Sequence, residues 1–405
     1  MELVKIIQQL ADNFLSDTVA IRRHLHAHPE LSFNEYQTSA FIQNKLSEYG
    51  ISFQNGIADT GIVAIVEGQN PGSRTVALRA DMDALPIEEA NNVPYKSNNK
   101  GIMHACGHDA HTASLLCTAR ILTQIKNQFE GTVKFIFQPA EEKNPGGASL
   151  MIKAGALENP KPAAIIGQHV YPLMAAGKVG FKSGMMMASA DEIYVRIKGK
   201  GGHGAVPQLT IDPIAISAQI ITALQQIVSR KADPTTPSVL TFGRIASVGG
   251  TYNVIPDEVR LEGTFRTMDE KWRFEAHQKM KQMACGIAEA MGAVCEFDIE
   301  VGYPYLINDT DLTERCRQSA IEFLGHENVE ELPLRMTAED FAYYTHVTKG
   351  CFYRLGTADF ERGICSQVHT PTFDIDEKSL AVGAGLMTWL ALKELAYKER
   401  EQNKS

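Results

Sequence analysis

Four short apolar runs in the first half of the chain, residues 62–66, 76–79, 133–137 and 163–166, are too short for buried helices and read as buried strands. Between the second and third, residues 112–126 put Leu115, Leu116, Ala119, Leu122 and Ile125 on one helical face. Strands and helices alternating in this way predict an α/β fold, with a largely parallel sheet and helices on both faces. Ahead of them, Leu3, Ile6, Ile7, Leu10, Phe14 and Leu25 recur at near-helical spacing, so an amphipathic helix over 3–25 opens the chain.

From about residue 188 the pattern changes. Strand 192–198, helix 213–230, strands 238–245 and 258–267, helix 270–291 and strand 295–301 follow in the order βαββαβ. That order is the ferredoxin-like arrangement, and a segment of about 110 residues can close its own core. Helix 311–323, strand 351–355 and helix 377–398 then resume the first style. At 405 residues the chain exceeds what one core usually supports, which is about 250. The expected layout is therefore a discontinuous α/β domain, 1–187 and 303–405, with an inserted domain at 188–302.

Composition narrows the partners. A formal charge of −9 argues against nucleic acid, which asks for a basic face. The first twenty residues carry Glu2, Lys5, Asp12 and Asp17, unlike the apolar core of a signal peptide. No charge-free stretch reaches the ~18 residues that span a bilayer. Seven cysteines without paired spacing fit reduced thiols in a cytoplasm. The tail 398–405 reads as a solvated helix end.

The residues just after each strand carry the chemistry. Asp81 and Asp83 come after the second, Gln138-Pro139-Ala140-Glu141-Glu142 after the third, and Gln168 and His169 after the fourth. Ligands gather at the carboxyl ends of strands in open α/β sheets, so these groups can share one crevice. His104-Ala105-Cys106-Gly107-His108-Asp109-Ala110-His111 lies in the loop before the 112–126 helix, and Gly107 permits a sharp turn. Imidazole, carboxylate and a single thiolate from distant segments suit a catalytic site for Zn, Mn, Co or Ni. A lone Cys-x-His is more often structural, and an acidic doublet alone is more often a solvated loop. Their co-occurrence at strand ends reverses both readings. On extended backbone Glu141 and Glu142 point opposite ways, so one can bind metal while the other faces a water.

Gly199 to Gly204, with His203 among glycines, reads as a mobile turn or as a flap that reaches a substrate. Strand pairing near Asn253 and Arg266 can bring an amide and a guanidinium to the cleft, where Arg suits a carboxylate. His369 is a late ligand or a plain loop histidine. Glu339-Asp340-Phe341 reads as a helix N-terminus, where acids are common.

The chain resembles the aminoacylase/hippurate hydrolase branch of the dinuclear metallocarboxypeptidase superfamily, which also holds hydrolases of indoleacetyl-amino-acid conjugates. The resemblance rests on Arg22-Arg23-His24-Leu25-His26 with Pro29-Glu30-Leu31, and on segments 77–86, 104–112, 137–142, 167–172, 201–207, 339–344 and 368–371. It implies two divalent metal ions per subunit, held by Cys106, His108, Glu142, His169 and His369. It implies Glu141 as general base, and Asp83 as a carboxylate that orients a ligand histidine. His104 and His111 become supporting or packing residues. His203, Asn253 and Arg266 would come from the inserted domain, a lid that also dimerises, to meet the tetrahedral oxygen and the substrate carboxylate. Gly204, Thr337 and Thr370 depart from the usual residues and bear on substrate preference.

The expected reaction is hydrolysis of an N-acyl amino acid, of hippurate, N-acetyl or indoleacetyl type, by metal-activated water. A carboxypeptidase or dipeptidase acting on short peptides is the near rival. A thiol amidase using Cys106 and a non-catalytic binding protein are the distant ones.

Overall fold

The computed structural model describes residues 2–398, so the tail beyond Lys398 lies outside the described residues. In chain order the elements begin with helices α1 (Glu2–Ala27) and α2 (Tyr36–Glu48) and strands β1 (Ser52–Ile57), β2 (Gly61–Glu67) and β3 (Thr75–Asp81). Next come α3 (His108–Gln124), β4 (Thr132–Gln138), α4 (Gly147–Lys153), β5 (Ala164–Ala175), β6 (Val179–Phe181) and β7 (Gly184–Met187). After these are β8 (Asp191–Lys198), β9 (Gly202–His203), α5 (Pro213–Gln226), β10 (Ser238–Val248), β11 (Val254–Ile255) and β12 (Glu258–Thr267). The chain continues with α6 (Glu270–Ala290), β13 (Val294–Val301), β14 (Leu306–Asn308), α7 (Thr310–Leu324) and β15 (Val329–Glu331). It ends with α8 (Ala342–Thr345), β16 (Gly350–Ala358) and α9 (Ser379–Leu395).

The chain divides into two compact units. One holds the residues up to Gly184, Ile307–Pro333 and those from Tyr343 onward; the other holds Met185–Leu306 and Leu334–Ala342. In the first, eight strands form one sheet in the order β1-β2-β4-β3-β5-β16-β6-β15. Its central neighbours β4, β3, β5 and β16 run parallel, and the β1–β2, β2–β4 and β16–β6 pairs are antiparallel. Alternate residues Val76, Leu78 and Ala80 of β3 and Val133, Phe135 and Phe137 of β4 join one apolar core with α1, α3 and α9. The intervening residues Arg79, Lys134 and Gln138 are buried too, so both sheet faces are covered.

The second unit contains a four-stranded antiparallel sheet, β10-β12-β8-β13, whose core includes Ile216, Ile220 and Leu224 of α5 and Ala276, Met280 and Ala284 of α6. Its order and βαββαβ succession are those of the ferredoxin-like fold. Leu334–Ala342 returns to this unit through backbone bonds from Arg335 N to Met186 O and from Ala188 N to Thr337 O. No described helix is long and apolar enough to cross a membrane.

Three local expectations are corrected. The helix expected at 112–126 begins at His108, so His108 to His111 form its first turn and not a loop. The strand expected at 163–166 continues to Ala175, because β16 pairs alongside it as far as Ala358↔Ala175. Gln168 and His169 therefore lie on a strand and not after one. Helix α2 and strand β1 had no counterpart in the sequence reading. The buried face of α2 includes Thr38 and Ser39 beside Ile42 and Leu46, so its apolar periodicity is broken.

Candidate metal centre and active site

Gly107 sets the entry to α3. Its φ of +83° is left-handed, and a Cβ there would lie 2.6 Å from Val170 Cγ2. Glycine is thus required twice, for the turn and for the close approach to β5. The turn sets Cys106 on one side and His108 on the first helical residue, both buried.

His169 arrives from β5. The β3–β5 pairing ends at Arg79↔Gly167, so His169 lies two residues beyond the last pair, at the carboxyl end of β3. Its Nδ1–H donates to the Val170 carbonyl at 2.8 Å, which leaves the Nε2 lone pair 3.3 Å from Cys106 Sγ. Burial, reinforced by nearby Arg354 and His111, pushes its pKa well down and keeps the ring neutral, as a metal ligand must be.

Glu141 and Glu142 follow β4 through a bend rather than an extended segment. Ala140 takes a left-handed φ of +50°, and the next residues turn. The two glutamates are separated by this turn and not by strand alternation. Asp83 anchors it: Oδ1 accepts from Glu141 N and Oδ2 from Glu142 N, both at 3.0 Å. The same carboxylate accepts His108 Nδ1–H at 3.1 Å and Ser32 Oγ–H at 2.6 Å. Burial opposes its charge, but the His108 and Ser32 bonds outweigh that and hold its pKa below the usual value. Asp83 thus points Nε2 of His108 away from itself, into the space beside Glu141 and Glu142.

His369 comes from the loop before α9, also with a left-handed φ, of +62°. Its amide donates to the Ala105 carbonyl at 2.7 Å, which ties this loop to the Cys106 turn. Its Nε2 lies 3.1 Å from Glu142 Oε1.

The fold brings these side chains into overlapping groups, each with donor atoms within 4.8 Å of one another. Cys106, His108 and His169 form one; Cys106, Glu142 and His369 form a second; His108, Glu141 and Glu142 form a third. His111 also lies close to His108 and Asp81, but its ring is fully used. Nδ1–H donates to Asp81 at 2.6 Å and Nε2 accepts the Val170 amide at 2.9 Å. His104 is buried behind the loop, and burial pulls its pKa down to about 4.

The donor set fits divalent cations. His108 Nε2 is buried with no hydrogen bond, and Glu142 Oε1 is buried with only His369 Nε2, 3.1 Å away, beside it. Burial disfavours charge on His108, yet Asp81 and Asp83 raise its pKa to about 10. Burial, then Glu142, Glu141 and Asp81, drive the Cys106 thiol far up. The cluster is thus an excess of carboxylate and thiol that calls for positive charge, and cations bound among these atoms would supply it.

Several supporting residues had no role assigned from the sequence. Glu35 is fully buried and accepts from Phe33 N at 3.0 Å, Ala140 N at 2.8 Å and Thr60 Oγ at 2.9 Å. Burial and then Asp83 raise its pKa to about 7. Arg22 on α1 donates to Asp109 Oδ2 at 2.8 Å, to Asp374 at 2.8 Å and to Glu377 at 3.3 Å. His26 shares the same Asp109 oxygen at 2.8 Å. This network ties α1 to the first turn of α3 and to the loop before α9, the segments that carry His108 and His369. Ser32 and Glu35 do show the Ser-x-x-Glu spacing of a helix start. That spacing points to capping, whereas both side chains reach other segments.

In the second unit His203 and Asn253 are neighbours. β9 pairs with β11 at Val254↔His203, and Gly204 N donates to Asn253 O at 2.8 Å. His203 is exposed, and its Nδ1 accepts the Ala205 amide at 3.0 Å, leaving Nε2–H as a donor. Arg266 lies on β12, apart from the β9–β11 pair beside Asn253. Arg266 pairs with Val239 near the far end of β12, roughly 25 Å of strand from Glu258. Burial lowers its pKa. Glu339 and Asp340 precede α8, where Glu339 Oε1 accepts the Phe341 amide at 3.1 Å.

Comparison with known proteins identifies a family. Residues 77–393 match the sequence profile of Peptidase family M20/M25/M40. The chain is 47% identical over 302 residues to an N-acyl-L-amino acid amidohydrolase of Geobacillus stearothermophilus, covering 75% of this chain and 80% of that one. It is 38% identical to the IAA-amino acid hydrolase ILR1-like 5 of Arabidopsis thaliana, covering 97% of this chain and 90% of that one. The crystal structure of the Bacillus subtilis YXEP protein, a dinuclear metal binding peptidase of family M20, superposes with a TM-score of 0.80 at 36% identity. That match covers 95% of this chain and 99% of that one. With a thiol, imidazoles and carboxylates gathered as above, the chain belongs to peptidase family M20, in its aminoacylase/IAA-amino acid hydrolase branch.

Proposed function

We propose that this chain hydrolyses the amide of an N-acyl amino acid of hippurate, N-acetyl or indoleacetyl type, releasing a carboxylate and a free amino acid. The observation that carries the reading is the gathering of Cys106, His108, Glu142, His169 and His369 around shared donor positions with Glu141 beside them. Those five side chains would hold two ions, for which Zn, Mn, Co or Ni suit the mixed donor set. When bound, the ions polarise the amide carbonyl and make water acidic enough to ionise near neutral pH.

Glu141 is the general base: its carboxylate takes a proton from the attacking water and returns it to the leaving nitrogen. Asp83 keeps His108 in the Nδ1–H tautomer, so Nε2 stays a donor of its lone pair. In the second unit, the Nε2–H of His203 and the Asn253 amide bind the developing oxyanion, and Arg266 binds the substrate carboxylate. We further propose a homodimer through the second unit, in which Arg266, at the far end of β12 from Glu258, serves a different active site from Asn253.

Glu141→Ala is expected to keep its metal content, measured by elemental analysis, and to lose about 10²–10⁴-fold in turnover. Near-normal turnover removes Glu141 as the base. Chelation is expected to abolish activity, and Zn, Mn, Co or Ni to restore it. A thiol amidase using Cys106 would survive the chelator. Acetyl, benzoyl and indoleacetyl amino acids assayed beside dipeptides settle the substrate class; faster turnover of dipeptides would replace this reading with a dipeptidase.

A further inference from the structure

Three consecutive amides after β4 point at carboxylates. Those of Glu141 and Glu142 meet Asp83, and that of Ala140, 2.8 Å away, meets Oε1 of Glu35 from 105 residues earlier. Pro139 has no N–H, so the Ala140 amide is the first after Gln138 that can anchor this turn. Ala140 holds a left-handed φ of +50°, which an alanine keeps only when its surroundings enforce it. Its carbonyl is fixed as well, by the Gly147 amide at 2.8 Å.

Glu35 is the residue before α2, yet its side chain makes no capping bond to that helix. Its oxygens go to Phe33 N, Ala140 N and the Thr60 hydroxyl, and its burial is complete. A carboxylate placed this far inside the protein, with no cation in its hydrogen bonds, is a costly way to hold a loop unless the loop's direction matters.

We infer that Glu35 is a positioning residue: it holds the left-handed turn at Ala140 and thereby fixes how Glu141 and Glu142 leave the backbone. The inference rests on the reading of these glutamates as base and metal ligand. Ser32, three residues before Glu35, holds Asp83 in the same way, so one short segment supports both carboxylate anchors of the turn.

The hydrogen bonds define the test. In Glu35→Gln the amide oxygen can keep Phe33 and Ala140 as donors, while the amide nitrogen donates to a rotated Thr60 hydroxyl. Glu35→Asp keeps the charge but is one methylene too short to reach Ala140. Full-length wild type, E35Q and E35D are stripped with a chelator, titrated with Co(II) alone by calorimetry and absorption, and assayed for kcat and KM. E35D is expected to lose about 10–100-fold in Co(II) affinity and in kcat, with KM little changed, and E35Q to stay near wild type.

E35D that binds Co(II) and turns over like wild type overturns the inference. E35Q as impaired as E35D overturns it too, because charge would then matter and not reach; this arm decides the matter if E35D fails to fold. Wild type that binds no Co(II) sinks the metal-centre reading itself, a result distinct from either.

Discussion

Replacing Asp83 with asparagine removes one oxygen from a side chain that receives hydrogen bonds from His108, Glu141, Ser32 and Glu142. The better of two orientations keeps oxygen toward His108 and Glu141. The new NH2 then faces Ser32, whose hydroxyl rotates to accept, and the Glu142 N–H, which cannot. A buried N–H without an acceptor costs about 1–3 kcal/mol. The two bonds kept by oxygen also lose their charged acceptor, and bonds to ionised groups are roughly twice as strong as neutral ones. Together these effects come to about 3–5 kcal/mol, a large share of the ~5–15 kcal/mol that holds a typical protein folded. The expected fall in Tm is on the order of 10 °C. It should be measured by calorimetry under chelator, so that lost metal binding adds nothing. Metal affinity, titrated separately, should fall about 10–100-fold as His108 loses the charged acceptor behind its Nδ1–H. A D83N protein that melts within about 2 °C of wild type and binds metal as tightly would refute the four-bond account.

Gly107→Ala should be more damaging than a surface glycine change: the left-handed φ and the clash with Val170 together cost about 2–5 kcal/mol, readable as a lower Tm and weakened metal binding. Arg22→Met takes the guanidinium from the buried Asp109 carboxylate and leaves it His26, and urea denaturation should show a loss of about 3–5 kcal/mol. In the second unit Asp191 accepts from Arg273 and His277; burial opposes its charge, but these partners hold its pKa below the usual value. Since the folded value lies below the unfolded one, its stabilisation is present above about pH 4 and fades as pH falls through the folded value. Trp272 fluorescence in a Trp389→Phe background should report this acid transition, and Asp191→Asn should lower stability at neutral pH while flattening the acid limb.

How much could be read in advance depended on whether a residue's partners were local. The strands β2 to β4 were legible because their apolar runs are continuous, as burial on both sheet faces demands. Cys106, His108 and Glu142 stood out because their residue types are unusual at strand and loop ends. Glu35 did not, because Ser-Phe-Asn-Glu looks like a solvent-facing helix start and its real partner is an amide more than a hundred residues away. His169 was placed past a strand that in fact continues, since only the pairing with β16 decides where β5 ends.

The place of β16 has a consequence for how the protein is made. This strand, from the last sixth of the chain, lies inside the sheet between β5 and β6 rather than at an edge. Until residue 358 has left the ribosome, β5 and β6 each present an unpaired row of backbone groups, and His369, further along the chain, has not emerged to join its partners. The nascent first unit therefore cannot close its sheet or complete its ligand set by growing outward from the N-terminus. A ribosome that stalls late releases neither a slower enzyme nor a smaller one, but a chain with two open β edges that invites aggregation.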